Sequence, residues 1–190
     1  MAVDYLSAIN SSGSGLNISQ IVDSLVEAET APEQESINKK ISKFPIWLLY
    51  AFGLFPAVYL FFQAFTDNLG ADPLKVLEHQ LGMWSLKLLI IVLLISPVKD
   101  LIKLNFVKQR RAIGLLSFYY ACLHFLTYLV LDQQLDLSEI LKDFSKRPYI
   151  IFGILSFSAM IPLAFTSSNR AIRFLGSKIW SRLHKVIYIA

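Results

Sequence analysis

Long stretches of apolar sequence that carry no acidic or basic residue dominate this chain and limit what it can fold into. Three of them lack Asp, Glu, Lys and Arg entirely: Phe44–Phe65, Ala112–Leu131 and Tyr149–Thr166. An α-helix of about 20 residues crosses the hydrocarbon core of a bilayer, which is roughly 30 Å thick. Across the whole chain, 55% of the residues are hydrophobic and only 17% are charged. The sequence therefore predicts an all-α protein, a polytopic bundle of transmembrane helices.

Two further segments complete the predicted bundle. Asp72 and Pro73 resemble the N-cap and the first residue of a helix whose apolar part is Leu81–Val98. A last apolar segment starts near Ile179 and occupies the end of the sequence. We therefore predict four complete spans and a fifth that is incomplete.

Basic residues are concentrated in alternate connections between the predicted spans. Lys and Arg are enriched in short loops on the cytoplasmic side of membrane proteins. The basic residues after the second span are Lys99, Lys103, Lys108, Arg110 and Arg111, and those after the fourth are Arg170, Arg173, Lys178, Arg182 and Lys185. Both connections, and the N-terminus, are therefore predicted to be cytoplasmic. This placement also explains the net charge of +4, so no nucleic-acid partner is predicted.

The beginning of the chain differs in composition from the rest. Residues 1–42 are polar and mainly acidic, whereas residues 43–190 hold the apolar runs, which predicts two separate units. Asn17 and Gln20 resemble a capping box that opens a helix. That helix carries apolar residues on one face: Ile18, Ile21, Val22 and Leu25. The face is predicted either to dock loosely on the rest of the chain or to form a seam for a partner.

The three histidines are the candidate metal ligands, because neutral imidazole is the usual axial ligand of haem held between helices. His124 lies inside the third span, where an ionisable side chain is costly unless it faces a partner or a cofactor. We therefore predict it as a haem ligand, with a packed structural histidine as the alternative. For His184, at the start of the fifth span, and His79, at the edge of the second, the residues alone favour a structural role. The single cysteine, Cys122, excludes a cysteine-cluster metal site.

The depths of the histidines in their helices also bear on ligand pairing. His124 lies roughly 18 Å above the cytoplasmic end of its span, and His184 about 8 Å above the start of its own. The two therefore match poorly as opposite ligands of one haem, and His124 is expected to face His79 or another ligand.

Three basic residues are candidate cofactor contacts. Lys87 lies inside the second span, where it would either meet a haem propionate or another acceptor in the bundle, or reach the interface by snorkelling. Arg110 and Arg111 suit haem propionates or a flavin phosphate, although the positive-inside bias already explains such a pair. The sequence contains no Gly-rich nucleotide loop and no nucleophile elbow, so no catalytic residue is predicted.

A series of motifs runs from about residue 45 to the end of the sequence. They are Leu69-Gly70-Ala71-Asp72-Pro73 with His79, Leu94-Ile95-Ser96-Pro97, Arg110-Arg111 with Gly114-Leu115, Leu123-His124, Lys146-Arg147-Pro148-Tyr149, Leu163-Ala164-Phe165-Thr166-Ser167, Leu175-Gly176, Trp180, Leu183-His184 and Tyr188. Together they resemble the MsrQ/YedZ family, the haem-binding membrane subunits of the protein-methionine-sulfoxide reductase system. That family lies in the ferric-reductase-like transmembrane superfamily. The resemblance implies that His124 and His184 ligate the iron of haem b, that FMN is a further cofactor, and that another histidine ligand follows beyond Ala190.

The resemblance also implies a function, that of an electron-transfer subunit rather than the catalytic subunit of an oxidoreductase. Electrons would pass from quinone or a cytosolic flavin reductase to a periplasmic molybdopterin methionine-sulfoxide reductase, across the bacterial inner membrane. Two alternatives stay open at this point. One is a non-redox membrane scaffold, and the other is the membrane component of a ferric reductase.

Residues 1–42 resemble a different family. Ser14-Gly15-Leu16-Asn17-Ile18, followed by Ile21–Glu29 and Ala31-Pro32, is similar to the N-terminus of flagellar filament-cap proteins, also called hook-associated protein 2. No later part of the sequence resembles that family. We therefore interpret residues 1–42 as a fused segment and predict no flagellar function for the whole chain.

Overall fold

A computed structural model describes residues 18–185, and within this range the chain forms helices and no strands. In chain order the helices are α1 (Ile18–Lys43), α2 (Ile46–Phe65), α3 (Pro73–Ile102), α4 (Val107–Leu126), which continues as a π-helical turn over Thr127–Asp132, α5 (Leu137–Lys146), α6 (Tyr149–Phe165), α7 (Asn169–Leu175) and α8 (Ser177–His184). The predicted all-α fold is confirmed.

Three helical segments of the described chain are long and apolar enough to cross a membrane. They are Ile46–Phe65, Pro73–Lys99 and Lys108–Asp132. A fourth candidate is the pair α5 and α6, which is bent by 111° at the break between the two helices. Their outward surfaces are apolar, as a lipid environment requires, with Phe52 for example 71% exposed. The bundle thus has three or four spans, and part of the predicted fifth lies outside the described residues.

The sequence did not predict α5, which lies between the third and fourth predicted spans. Asp136 caps its N-terminus, because the carboxylate accepts hydrogen bonds from the backbone N–H groups of Ser138 and Glu139. One residue of this helix, Ile140, is buried. The segment therefore joins the bundle as a short amphipathic helix rather than as a simple loop.

Helices α3 and α4 form an antiparallel pair at the centre of the bundle. The hydroxyl of Ser85 donates to the backbone carbonyl of Ser117 at 3.0 Å, and the hydroxyl of Ser117 donates to the carbonyl of Ser85 at 2.9 Å. Small side chains of this kind let two membrane helices approach closely. Further along the same pair, Arg110 donates to the hydroxyl of Ser96 at 3.1 Å. This register decides which side chains of the two helices meet.

Helix α2 is joined to the central pair through Tyr120 of α4, whose side chain is fully buried. Its hydroxyl donates to the carbonyl of Gly53 at 2.7 Å and accepts from the N–H of Ala57 at 3.0 Å. Pro56 lies inside this turn and has no N–H to offer the helix. The tyrosine hydroxyl therefore inserts into the backbone of α2 at its proline.

Helix α6 packs on the other side of α4 through aromatic rings. The ring of Phe157 stacks on Phe118, at a centroid distance of 5.8 Å, and on Phe125, at 4.8 Å. The short helices α7 and α8 follow α6 and are separated by Gly176, whose φ of 76° favours glycine. These two helices cover one end of the bundle.

Helix α1 contacts the connection between α3 and α4 through polar groups. The side chain of Asn38 donates to the carbonyl of Lys103 at 3.2 Å and accepts from the N–H of Asn105 at 2.9 Å. The predicted apolar seam stays largely exposed, since Val22 is 45% exposed and Leu25 is 64% exposed. Helix α1 is thus held by hydrogen bonds near its C-terminal end and by one exposed ion pair, between Glu27 and Lys103 at 3.1 Å.

Replacing Asn38 with alanine is expected to loosen α1, because both hydrogen bonds to the α3–α4 connection are lost. Both are exposed hydrogen bonds between neutral groups, so each is expected to contribute at most about 0.5–1.5 kcal/mol to the stability of the docked helix. Hydrogen exchange of the α1 amides, measured in detergent, should rise severalfold in Asn38→Ala. The exposed Glu35→Ala on the same helix is the control, and equal exchange in both variants would contradict the docking role.

Candidate functional site: a cavity with a basic rim and one histidine

A cavity of about 680 Å³ lies at the end of the bundle where α7 and α8 fold back. Its walls come from α2, α3, α4, α6 and the two short helices. The lining residues are Ile46, Leu89, Val92, Lys108, Arg110, Arg111, Gly114, Leu115, Phe118, Met160, Leu163, Ala164, Ser167, Asn169, Ile172, Trp180, Ser181, His184 and Lys185. The cavity therefore combines an apolar wall from the spans with a polar rim from the connections.

The rim carries four basic side chains: Lys108, Arg110, Arg111 and Lys185. Three of them make hydrogen bonds, and Lys108 donates to the backbone carbonyl of Ser42 at 3.4 Å. Arg110 donates to Ser96 on α3, and Arg111 donates to the side-chain oxygen of Asn169 on α7 at 2.8 Å. No salt bridge to any of the four is found among residues 18–185. Their positive charge is thus available to an anionic group.

His184 brings the one imidazole to this cavity from the end of α8. Its Nε2 lies 3.2 Å from the hydroxyl oxygen of Thr166, and its ring lies 4.1 Å from the ring of Trp180, one turn earlier. The indole N–H of Trp180 donates to the carbonyl of Thr166 at 2.9 Å. Both α8 side chains are therefore held on the C-terminal end of α6.

The protonation state of His184 follows from these surroundings. Burial lowers the pKa of His184, and the neighbouring positive charge of Arg110 lowers it further. The lowered pKa favours the neutral imidazole, which is the form whose nitrogen lone pair can ligate a metal.

His124 lies away from this cavity, at the other end of α4. Its Nδ1 is 2.9 Å from the backbone carbonyl of Glu78 on α3. Residues 110 and 124 are separated by about 21 Å along a helix, at 1.5 Å per residue. The structure thus separates His124 from His184, in line with the poor match expected from their depths.

The other two predicted site residues also lie outside the cavity. His79 is exposed at the start of α3. Lys87 is exposed as well, with its Nζ 5.2 Å from the centre of the Trp84 ring. The structure therefore brings together Arg110, Arg111 and His184 of the predicted set, and leaves His124, His79 and Lys87 elsewhere. Among residues 18–185, no three His, Cys, Asp or Glu side chains are grouped to hold a metal ion.

Sequence reasoning missed the roles of several residues that line the cavity or contact its histidine. Trp180 precedes His184 by four residues, so helical spacing was a usable signal that both lie on one face. Thr166 and Asn169 carried no such signal, since each contacts its partner only after the connection between α6 and α8 has folded.

The helices and the cavity define a multi-pass membrane protein with a built site at one end of its bundle. Residues 81–190, more than half of the chain, match the family described as "Ferric reductase like transmembrane component". The chain therefore belongs to the family of ferric-reductase-like transmembrane components. This confirms the superfamily expected from the motifs after residue 45.

Individual relatives give a more specific comparison than the family match does. The chain is 51% identical over 145 residues to the protein-methionine-sulfoxide reductase heme-binding subunit MsrQ of Brucella anthropi, covering 76% of this chain and 66% of the relative. The proteins of the same name from Brucella ovis and Brucella canis are each 52% identical over the same shares. The chain thus spans 66% of the length of these relatives. No solved structure matches the chain.

Proposed function

We propose that this chain is a haem b-binding electron-transfer subunit of a membrane oxidoreductase, and that its cavity holds the haem. The observation that carries the proposal is the combination of groups around one space of about 680 Å³. An apolar wall suits the macrocycle, the basic rim suits two propionates, and a neutral imidazole suits the iron. The relatives, which are named as heme-binding subunits, support the same assignment.

Different residues of the chain would contact different parts of the haem. Arg110 and Arg111, already oriented by Ser96 and Asn169, would pair with the propionates. His184 would supply a nitrogen ligand, with Trp180 and Thr166 limiting the movement of its ring. Bound haem iron accepts and releases one electron at a time, while the surrounding residues set its potential. FMN is a second candidate ligand of the rim, because its phosphate matches the same charges.

The other predicted residues belong to the wider proposal. His124 would ligate iron at the opposite end of α4, which places a second redox position across the bundle. Electrons would then move from quinone or a cytosolic flavin reductase to a periplasmic molybdopterin methionine-sulfoxide reductase. The membrane would be the bacterial inner membrane. The distribution of Lys and Arg supports a cytoplasmic N-terminus and a cavity that opens on the cytoplasmic side.

The test is a reduced-minus-oxidised visible spectrum of the full chain, purified in detergent from cells supplied with haem. The proposal expects the absorption bands of b-type haem in this spectrum. It also expects a content of at least one haem per chain. A colourless protein that is nonetheless folded and monodisperse would overturn it and favour a non-redox membrane scaffold.

Neutralising the basic rim is expected to weaken haem retention. The double change Arg110→Gln with Arg111→Gln removes two charge-assisted contacts, and about tenfold weaker binding is expected, since tenfold corresponds to about 1.4 kcal/mol. Haem loss to excess apomyoglobin measures the effect. Lys99→Gln, an exposed cation outside the cavity, should leave the rate unchanged, and an equal effect of that control would point to net charge instead.

A further inference from the structure

The contact between His124 and Glu78 determines more than the position of the ring. The partner of Nδ1 is a backbone carbonyl, and a carbonyl oxygen can only accept a hydrogen bond. Nδ1 must therefore carry the proton. In the neutral imidazole this leaves the lone pair on Nε2, and metal-binding histidines are commonly oriented by the same kind of carbonyl contact.

A glycine on α3 makes this contact sterically accessible. Gly82 follows Glu78 by one helical turn, so its side-chain position lies beside the Glu78 carbonyl. A Cβ atom at residue 82 would lie 3.2 Å from Nδ1 of His124 and 3.3 Å from its Cε1. Both distances are shorter than ordinary van der Waals contact. A Cβ at this position would therefore require the imidazole to shift by a few tenths of an ångström.

From this geometry we infer that Gly82 is a positioning residue, which opens the Glu78 carbonyl to His124 and so presents Nε2 of His124 as the free ligating atom. The inference rests on the proposed function only for what binds at Nε2, namely haem iron. The tautomer and the role of Gly82 stand on the contact itself. The role is separate from the cavity, because neither His124 nor Gly82 lines it.

The tautomer can be measured directly because the chain has only three histidines. The full chain is expressed in haem-deficient cells with ¹⁵N-labelled imidazole rings and is then placed in nanodiscs. In its ¹⁵N NMR spectrum, protonated and unprotonated ring nitrogens give separate resonances. His124→Gln assigns the His124 signals by their loss. The inference expects a protonated Nδ1 and an unprotonated Nε2 for His124. The opposite pattern in the wild-type chain would overturn it without any further variant.

Gly82→Ala tests the positioning role. The added methyl group should weaken the contact between Nδ1 and the Glu78 carbonyl. The ¹⁵N spectrum of His124 should then show a mixture of the Nδ1–H and Nε2–H tautomers instead of the Nδ1–H tautomer alone. The matched control is Gly153→Ala, since Gly153 also lies in a membrane helix but a Cβ there meets nothing within 4 Å. An unchanged His124 signal in Gly82→Ala, or an equal change in Gly153→Ala, would contradict the role of Gly82.

The measurement also separates this inference from the proposed function. If the haem-supplied protein is colourless but the Nδ1–H tautomer is present, the proposed function fails and the positioning role stands. If haem binds and His124 shows the Nε2–H tautomer, the positioning role fails alone. When haem binds, Gly82→Ala should also shift the reduction potential, whereas Gly153→Ala should not.

Discussion

Substitution of His184 by alanine is expected to remove haem from the cavity. His184 is the one histidine among the lining residues, and histidine is a common axial ligand of haem iron. Loss of groups that merely orient a metal ligand weakens binding by 10–100-fold, so loss of the ligand itself should cost about a hundredfold or more. The haem content of the purified variant, measured by the pyridine haemochrome spectrum, gives the result.

Two further variants make this result specific. His79→Ala removes an exposed histidine outside the cavity and should leave the haem content unchanged. His124→Ala acts at the other end of α4, so its loss of haem should add to that of His184→Ala rather than duplicate it. Unchanged absorption bands in His184→Ala, with the protein still folded, would move the iron ligand out of the cavity and refute the assignment.

Removal of the Tyr120 hydroxyl is expected to destabilise the bundle. In Tyr120→Phe, the carbonyl of Gly53 and the N–H of Ala57 lose the group that links them to α4. A buried polar group left without its partner costs about 1–3 kcal/mol. Truncation to alanine also opens a cavity, and about 3–5 kcal/mol is expected there. Thermal unfolding in detergent, monitored by circular dichroism, should show a lower unfolding temperature for Tyr120→Phe than for the wild type. Tyr120→Ala should unfold at a lower temperature still.

The neighbouring tyrosine offers a matched control. Tyr119 lies beside Tyr120 on α4 but is 43% exposed. Exposed positions of this kind usually change stability by less than about 0.5 kcal/mol. Tyr119→Phe should therefore unfold like the wild type. If both Phe variants unfold at the same temperature as the wild type, the insertion of the Tyr120 hydroxyl into α2 contributes nothing to stability.

The sequence predicted the first three spans well because the signal is local. Each charge-free run is a property of consecutive residues. In lipid such a run forms a helix, because a helix provides hydrogen bonds for its own backbone N–H and C=O groups. The predicted run Tyr149–Thr166 and the observed α6 differ by one residue. The short helix α5 was missed because a ten-residue amphipathic segment between two spans resembles a polar loop in composition.

The candidate site could be predicted only in part. Arg110, Arg111 and His184 were recognised as single residues, but their meeting in one cavity was not, since α8 folds back onto the end of α6 through contacts at Thr166. Lys87 was a candidate for a cofactor contact because it interrupts an apolar run. In the structure its ammonium group lies over the ring of Trp84 and the side chain is exposed, so it does not line the cavity.

The sequence by itself determined that this chain is a helical membrane protein, where its first three spans lie, and which few residues are able to ligate a metal. Hydropathy and residue type suffice for this, because a bilayer acts on each segment independently. Only the tertiary structure decided which of these residues share a site. The antiparallel register of α3 and α4 sets His124 beside Glu78 and Gly82, and Arg110 beside Ser96. That register arises from packing between segments distant in sequence, and no local pattern encodes it.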